Sequence, residues 1–408
     1  MKNTILGADG VRAMACLMVL GHHFLERLNG EAQTPLVQAL YHFGLKGEAG
    51  VSMFFVLSGM LLSIPFWRNF AARGPLPDLR EFARRRAVRI LPGYYASLIL
   101  SFGIGYLLWH PDQLVWERFF AGLTLTSGLH YLTYFPTEIN GPLWSISFEV
   151  FCYLLMPLMM MLMFWQIPRR GLGVAYLYWL GALVLVLGLN QVLVEYFQPD
   201  GYRRGWEYGL LGGAKEWFPH YSLLGMFAHY IFGVFSAGLI VGLERSPALA
   251  ERLKKLWFFD GVALLSLLGL TAVLWQVRLE PEFSHSWQAQ PYFFPYATLP
   301  VMLLLAALPF SNLLGRLADN PFARYTAKVS FGIYIWHMLI IELYRDRLNL
   351  DFKWSGVDSL GEWLLICAAL TAAIYAAAAL SYRFIEEPAL NWYQSRRRNG
   401  RLERQPNG

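Results

Sequence analysis

Ionisable side chains stand inside several long apolar runs, where a charge is costly and is therefore kept mainly for function. Arg12 and His23 share the first run, Glu149 lies in a later one and His337 in another. An imidazole can accept a proton from a hydroxyl group, and a carboxylate can orient the imidazole or stabilise its cation. These residue types indicate proton transfer at membrane depth, in an enzyme or in a proton-coupled transporter.

Helical spacing places Arg12 and His23 on one side of the first apolar run. They are eleven positions apart, which is three turns plus about 20°, and are separated by roughly 16 Å along the axis. We expect Arg12 at the cytoplasmic boundary and His23 beyond the midplane. A snorkelling arginine and a hydrogen-bonded packing histidine are the alternative interpretation.

The segment from Pro142 to Glu149 predicts the start of a helix, since proline suits the first helical position. Ser145 lies one turn before Glu149 on the same face, next to Trp144. Glu149 lies roughly 10 Å into the helix, at a depth similar to that of His23. We therefore expect Glu149 beside His23; a structural glutamate bonded to a neighbouring helix is the alternative.

Two more runs carry polar groups near mid-depth. Ser330, Tyr334 and His337 are spaced i, i+4, i+7 and form one stripe, although His337 is also compatible with a satisfied core histidine. Ser58 is followed by Gly59, a pair of small residues that also suits close helix packing.

A basic cluster precedes the third apolar run and contains Arg84, Arg85, Arg86 and Arg89. Guanidinium groups make bidentate contacts with phosphates. The cluster therefore predicts an anion-binding site, although a topology anchor facing lipid would have the same composition.

The composition excludes a water-soluble globule. Hydrophobic residues make up 56% of the 408 residues and charged residues 15%, against about a quarter charged in soluble domains. Basic cytoplasmic loops explain the net charge of +6, so no nucleic acid partner is expected. Cys16, Cys152 and Cys367 lie in apolar runs as inert core residues, and no metal-ligand spacing is evident, so we expect no metal.

The fold class predicted is all-α, a polytopic bundle of about ten transmembrane helices. The candidate spans are 9–28, 48–66, 92–109, 143–164, 174–194, 220–242, 260–277, 293–311, 327–344 and 360–384. With both termini cytoplasmic, 24 of the 34 basic residues fall on the inner side. We expect a membrane domain over 1–390, a basic tail over 391–408 that is disordered from Arg396, and no cleaved signal peptide. A short apolar stretch at 118–128 should lie at the interface or re-enter the membrane.

Six motifs in chain order resemble those of the membrane acyltransferase family called acyltransferase 3. They are Arg12 with His23, the FFVLSG stretch 54–59, the RRxxRIxPxYY stretch 85–95, the PLWSxxxE stretch 142–149, the SxxIYxxH stretch 330–337 and the FIExP stretch 384–388. One departure is Ala13, where the family often has glycine.

The resemblance implies an O-acyltransferase of bacterial envelope glycans, located in the inner (plasma) membrane with membrane lipid around it. Acyl-CoA, with acetyl-CoA favoured, would be a co-substrate rather than a permanently bound cofactor. The acceptor would be a hydroxyl group of a glycan, a sugar or a lipid-linked molecule, and partners in envelope assembly stay open.

The resulting hypothesis assigns each candidate residue a role. The candidates are His23, Glu149 and His337 for catalysis, Arg12, Arg86 and Arg89 for the phosphates of the donor, and Ser58, Trp144, Ser145 and Tyr334 for substrate binding. We expect them to surround one enclosed chamber with a positively charged inner mouth. Direct transfer and an acyl-histidine relay stay open, as do a proton-coupled exporter and a non-catalytic scaffold.

Overall fold

The computed structural model describes residues 5–108, 114–167, 171–197, 209–280, 290–348 and 356–402, and every regular element in these ranges is a helix. The chain is therefore a polytopic all-α protein, as the sequence predicts. The helices are α1 (Ala8–Leu25), α2 (Pro35–Leu45), α3 (Gly50–Ala71), α4 (Leu79–Leu108), α5 (Val115–Leu123), α6 (Trp144–Gln166), α7 (Leu172–Tyr196), α8 (Gly209–Trp217), α9 (Leu223–Glu244), α10 (Pro247–Lys255), α11 (Phe258–Gln276), α12 (Thr298–Ala307), α13 (Leu314–Ala318), α14 (Pro321–Leu348), α15 (Leu360–Ser381) and α16 (Glu387–Leu402).

Eight helical segments of the described residues are long and apolar enough to cross a membrane. The two other expected spans are also helical. The first is α1, which has 18 residues but carries Asp9, Arg12, His22 and His23, and these lower its apolar content. The second is α12 with the 3₁₀ turn Leu308–Phe310 that follows it, which is shorter than the others. The expected total of ten spans stays a prediction.

Apolar side chains are exposed on the outside of the bundle, where lipid would cover them. On α7, for example, Leu177, Val184 and Leu185 are exposed, whereas Trp179 on another face is buried. A soluble protein rarely exposes such a continuous apolar surface. The chain is therefore a multi-pass membrane protein, and its polar groups gather inside.

Helices α3 and α9 cross in very close contact at the centre of the bundle. A Cβ atom on Gly59 would lie 2.1 Å from the Tyr230 carbonyl oxygen, and one on Gly233 would lie 1.9 Å from the Val56 carbonyl oxygen. Only glycine permits this approach of two backbones. The crossing fixes α3, and with it Ser58, whose side chain faces away from α9 toward the cavity described below.

Helix α1 lies between α3 and α14 and is fixed at its start by α13. The Asp319 carboxylate accepts hydrogen bonds from the backbone N–H groups of Gly7 at 2.8 Å and Gly10 at 3.0 Å. A carboxylate at a helix N-terminus satisfies unpaired donors and complements the helix dipole. The anchor determines where Arg12 and His23 stand along the bundle.

Helices α5 and α16 lie in two regions where the sequence predicts no membrane span. The stretch 118–128 contains the end of the short helix α5, in line with its being too short to span. The expected disorder from Arg396 onward is wrong as far as Leu402, because α16 is helical to that residue and packs beside α4. Residues 403–408 of the expected tail lie outside the described residues.

Candidate active site

A cavity of about 1030 Å³ opens at the end of the bundle where α3 passes to α4. Its mouth is lined by guanidinium groups from three helices: Arg12, Arg85, Arg86, Arg89 and Arg397. Deeper in, apolar side chains such as Phe54, Leu57 and Leu61 form the walls. The arrangement suits a ligand with anionic groups at one end and an uncharged arm at the other.

Helix α4 presents most of this charge because it begins at Leu79, well before the apolar run that follows Pro92. Arg85, Arg86 and Arg89 therefore all lie on this helix. Arg89 pairs with the buried carboxylate of Glu386 at 3.4 Å. Arg86, like Arg12 on α1, makes no ion pair within the part of the chain that the structure describes.

The mouth contains residues that the sequence did not single out for the site. Arg397 and Tyr393 come from α16, which was expected to be part of a separate tail. Arg85 was part of the noted cluster but not of the predicted binding set. The three predicted cations, Arg12, Arg86 and Arg89, all line the cavity, and their role in binding stays a prediction.

Four predicted polar residues meet at the inner end of the cavity: Ser58, Ser145, Glu149 and Tyr334. The Ser58 hydroxyl donates to Glu149 Oε1 at 3.1 Å, and the Tyr153 hydroxyl donates to the same oxygen. The Tyr334 and Ser145 hydroxyl oxygens lie 2.7 Å apart in a hydrogen bond. Helices α3, α6 and α14 thus supply a small polar floor beneath apolar walls.

Beyond Tyr334 lie two histidines whose rings contact each other. The ring centroids of His23 and His337 are 5.1 Å apart, and the Tyr334 ring centroid is 5.9 Å from that of His337. His337 Nδ1 lies 2.7 Å from the Tyr334 carbonyl oxygen, so this nitrogen carries the proton and donates. Its Nε2 is buried and makes no hydrogen bond with a described residue.

Glu26 is the carboxylate partner of His23. His23 Nδ1 lies 2.9 Å from Glu26 Oε2, one turn further along the chain. The expectation that Glu149 orients His23 is wrong, because Glu149 instead accepts hydrogen bonds from Ser58 and Tyr153. Equal depth in the membrane did not imply contact, since depth says nothing about which neighbour a side chain faces.

His22 joins the same cluster from the adjacent position. Its Nδ1 lies 2.5 Å from the Leu45 carbonyl oxygen, and its Nε2 lies 3.5 Å from Glu26 Oε1. Donor atoms of His22, His23 and Glu26 all lie within 4.8 Å of one another, a spacing that also suits a cation and that the sequence pattern did not indicate. Because Glu26 already pairs with both rings, we interpret the group as a hydrogen-bonded cluster.

The expected single chamber is also corrected. His23 and His337 do not line the cavity formed by the described residues; Tyr334 stands between them and its inner end. Trp144, predicted to bind substrate, is buried and packs against Tyr134 and Phe148 with ring centroids 5.3 and 4.8 Å apart. It points away from the cavity because it precedes Ser145 by one residue, or about 100°.

A family model described as an acyltransferase domain matches residues 5–382 of the chain. The chain belongs to this acyltransferase family. The match covers the arginine-lined mouth on α4, the polar floor and both histidines, but it ends before α16.

Known relatives match almost the whole length of this chain. A Staphylococcus aureus (strain COL) protein provisionally named an O-acetyltransferase is 23% identical over 407 residues, which cover 96% of this chain. Nodulation protein 10 of Rhizobium leguminosarum bv. viciae is 26% identical, covering 92% of this chain and 90% of the relative. Peptidoglycan O-acetyltransferase OatA of Listeria monocytogenes is 24% identical, covering 93% of this chain and 55% of the relative.

The chain spans 59% of the length of the Staphylococcus aureus relative. No solved structure matches the chain significantly.

Proposed function

We propose that the protein is an integral-membrane O-acyltransferase that moves an acyl group, with acetyl favoured, from acyl-CoA to a hydroxyl group of an envelope glycan, a sugar or a lipid-linked molecule. One observation carries the proposal. A cavity rimmed by arginines ends at Tyr334, and the Tyr334 ring contacts His337, which contacts His23.

The donor would enter through the arginine-lined mouth. CoA carries several phosphates at one end, which Arg12, Arg86 and Arg89 would bind by charge-assisted hydrogen bonds. The pantetheine arm is long and uncharged, so it would lie along the apolar walls and bring the thioester to the polar floor. There the Glu149 carboxylate could accept a hydrogen bond from an amide N–H of the arm, a role that replaces the expected contact with His23.

Acyl transfer would take place between Tyr334 and His23. The acceptor hydroxyl oxygen attacks the thioester carbonyl carbon while its proton passes to His23. The Tyr334 hydroxyl donates to the developing oxyanion. The carbon–sulfur bond then breaks, the thiolate takes the proton from protonated His23, and an ester and free CoA leave.

Direct transfer fits this geometry better than an acyl-histidine relay. Direct transfer needs only the acceptor oxygen to reach both the thioester carbon and the His23 ring. A relay needs the His23 ring itself to reach the carbonyl carbon, although Tyr334 and His337 separate that ring from the cavity. A covalently acylated enzyme trapped in a single turnover without acceptor would contradict direct transfer.

The relatives' names support the proposed acceptor, and the distribution of charge supports the proposed orientation in the membrane. The names of two relatives refer to O-acetylation, one of them of peptidoglycan. The bias of basic residues toward one side supports an inner-membrane protein with both termini in the cytoplasm. The donor mouth would then face the cytoplasm, where acyl-CoA is made, and the histidine pair would lie toward the outer face.

The test is release of free CoA thiol from labelled acetyl-CoA by the purified full chain with a hydroxyl acceptor. We expect His23→Ala to abolish release and His42→Ala, outside the cluster around His23, to leave it unchanged. Arg89→Ala should raise the KM for acetyl-CoA by about tenfold or more, since it removes a charge-assisted contact. Its neighbour Arg84 does not line the cavity, so Arg84→Ala should leave KM unchanged.

The rival functions predict different results. An exporter would move its substrate without releasing thiol, and a scaffold would do neither. Full activity of His23→Ala, or no thiol release by the wild-type chain with any hydroxyl acceptor of the envelope, would overturn the proposal.

A further inference from the structure

The C-terminal helix α16 forms one wall of the cavity although it begins after the last residue of the family match. Tyr393 and Arg397 line the mouth from this side, and Arg85, Arg86 and Arg89 face it from α4. We propose that α16 is part of the donor site and binds the adenosine 3′-phosphate end of acyl-CoA. Arg397 would hold the 3′-phosphate and Tyr393 would contact the adenine ring; this inference rests on the proposed function.

Charge determines which end of the donor meets α16. The cavity is lined by five arginines, whereas Glu149 at the inner end is its one carboxylate among the described lining residues. The thioester must reach that inner end, so the part of CoA furthest from it stays at the mouth. The 3′-phosphate is the charge furthest from the thioester, and Arg397 lies at the mouth.

The Glu81 carboxylate on α4 contacts two side chains of α16. It accepts from Arg85 at 2.8 Å, pairs with Arg397 at 3.2 Å and accepts from the Tyr393 hydroxyl. An ion pair between partly exposed groups is worth little by itself. The Glu81 contacts bring the guanidinium groups of Arg85 and Arg397 and the Tyr393 ring close together. A phosphate has more acceptor oxygens than a carboxylate and could accept from both arginines.

The neighbouring face of α16, about 100° around the helix, provides a matched control. Arg396 stacks on the exposed Trp392 ring, with 4.6 Å between the guanidinium carbon and the ring centroid, and neither residue lines the cavity. A tryptophan and an arginine on an exposed face suit the membrane–water interface. Helix α16 thus has one face toward the donor and one toward headgroups, and the two faces can be tested separately.

The experiment measures the Kd of CoA and of 3′-dephospho-CoA for the full-length protein in nanodiscs of zwitterionic lipid. The wild-type protein should bind CoA about tenfold more tightly than 3′-dephospho-CoA. Arg397→Ala should weaken CoA binding by about tenfold and remove this preference, while Arg396→Ala changes neither Kd. Thermal unfolding of each variant in the same nanodiscs verifies that it is folded.

A second pair of variants tests the ring. Tyr393→Phe keeps the aromatic surface and loses only the hydrogen bond to Glu81, so it should bind both nucleotides nearly as the wild-type protein does. Tyr393→Leu should weaken both by a similar factor of about three to ten, because the adenine is common to both.

The outcomes separate the two proposals. If the wild-type chain binds neither nucleotide, the donor in the proposed function is wrong. If the wild-type chain prefers CoA and Arg397→Ala keeps the same Kd and the same preference, α16 is only a headgroup-facing helix and the inference is overturned. Equal weakening of both nucleotides by Arg397→Ala would overturn the assignment to the 3′-phosphate.

Discussion

At the scale of single residues, the site consists of two hydrogen-bonded groups joined by aromatic contact. Glu149, Ser58 and Tyr153 form one group at the cavity floor. Glu26 and His23 form the other, and His337 and Tyr334 lie between the two. Glu149 and Glu26 therefore have different hydrogen-bond partners, and a substitution of Glu149 should not reproduce the effect of a substitution of Glu26.

Glu26→Gln should lower kcat by about tenfold to a hundredfold and leave the KM for acetyl-CoA unchanged. The physical reason is that Glu26 is hydrogen-bonded to His23, and the proposed mechanism gives His23 a role in proton transfer and none in donor binding. The measurement is steady-state thiol release at varied acetyl-CoA. Glu26→Asp, which keeps the charge, should recover part of the loss.

The control is Glu31→Gln, because Glu31 is exposed and is not part of the cluster. A raised KM with unchanged kcat in Glu26→Gln would contradict a positioning role for Glu26. A chelator should leave activity unchanged, and loss of activity that added metal restores would mean that the cluster of His22, His23 and Glu26 holds a cation.

Tyr334→Phe should lower kcat by about a hundredfold, since it removes the donor assigned to the oxyanion. Ser145→Ala should have a smaller effect, and the double variant should lose less than the two single effects combined, because the two hydroxyl groups bond to each other. Tyr95→Phe, whose hydroxyl donates to the Leu123 carbonyl oxygen away from the cavity, is the control. Strict additivity of the two losses would contradict a shared role.

The sequence predicted the positions of the candidate residues better than their hydrogen-bond partners. The depth of His23 and His337 followed from helix rise, and the structure brings them into contact. The partner of His23 did not follow, because axial position leaves open the side that Glu149 faces. The sequence did not indicate Glu26 as a site residue, because it lies at the end of α1, where a charged residue is common. Arg397 was passed over since a basic terminal run usually indicates a solvated tail.

At the scale of helices, functional residues weaken the pattern that reveals a span. Helix α1 carries four ionisable side chains in 18 residues. Its apolar content is therefore lower than that of the eight segments that are long and apolar enough to cross a membrane, although α3 and α14 pack on it. The pair Ser58 and Gly59 shows a related division, since Gly59 makes the helix crossing and Ser58 faces the cavity. The packing alternative therefore holds for Gly59, and substrate binding by Ser58 stays a prediction.

Gly233→Ala should lower the free energy of unfolding by about 1–3 kcal/mol, because the new methyl group would meet the backbone of α3. Gly242→Ala on the same helix has open space around it and should be neutral or stabilise by up to about 1 kcal/mol. The measurement is reversible unfolding in mixed detergent micelles. Equal stability of the two variants would mean that α3 and α9 do not cross as closely as described.

At the scale of the whole molecule, the two ends of the bundle are chemically different. Guanidinium groups surround the mouth of the cavity at one end, and the cluster of His22, His23 and Glu26 stands at the far end of α1. The name of one relative refers to O-acetylation of peptidoglycan, whereas the proposed donor, acyl-CoA, is a cytoplasmic metabolite. A transferase that serves both compartments needs such an asymmetry, and its direction in the membrane is a property that can be measured.

Labelling of introduced cysteines in intact spheroplasts should show this direction. The native Cys16, Cys152 and Cys367 are buried, so the parent chain should not react with a membrane-impermeant maleimide. Glu31→Cys, at an exposed position near the histidine end, should label in intact cells. Arg396→Cys, near the donor mouth, should label only after the membrane is permeabilised. The reverse pattern would place the arginine-lined mouth outside, where no acyl-CoA is available, and would remove the physical basis for a cytoplasmic donor.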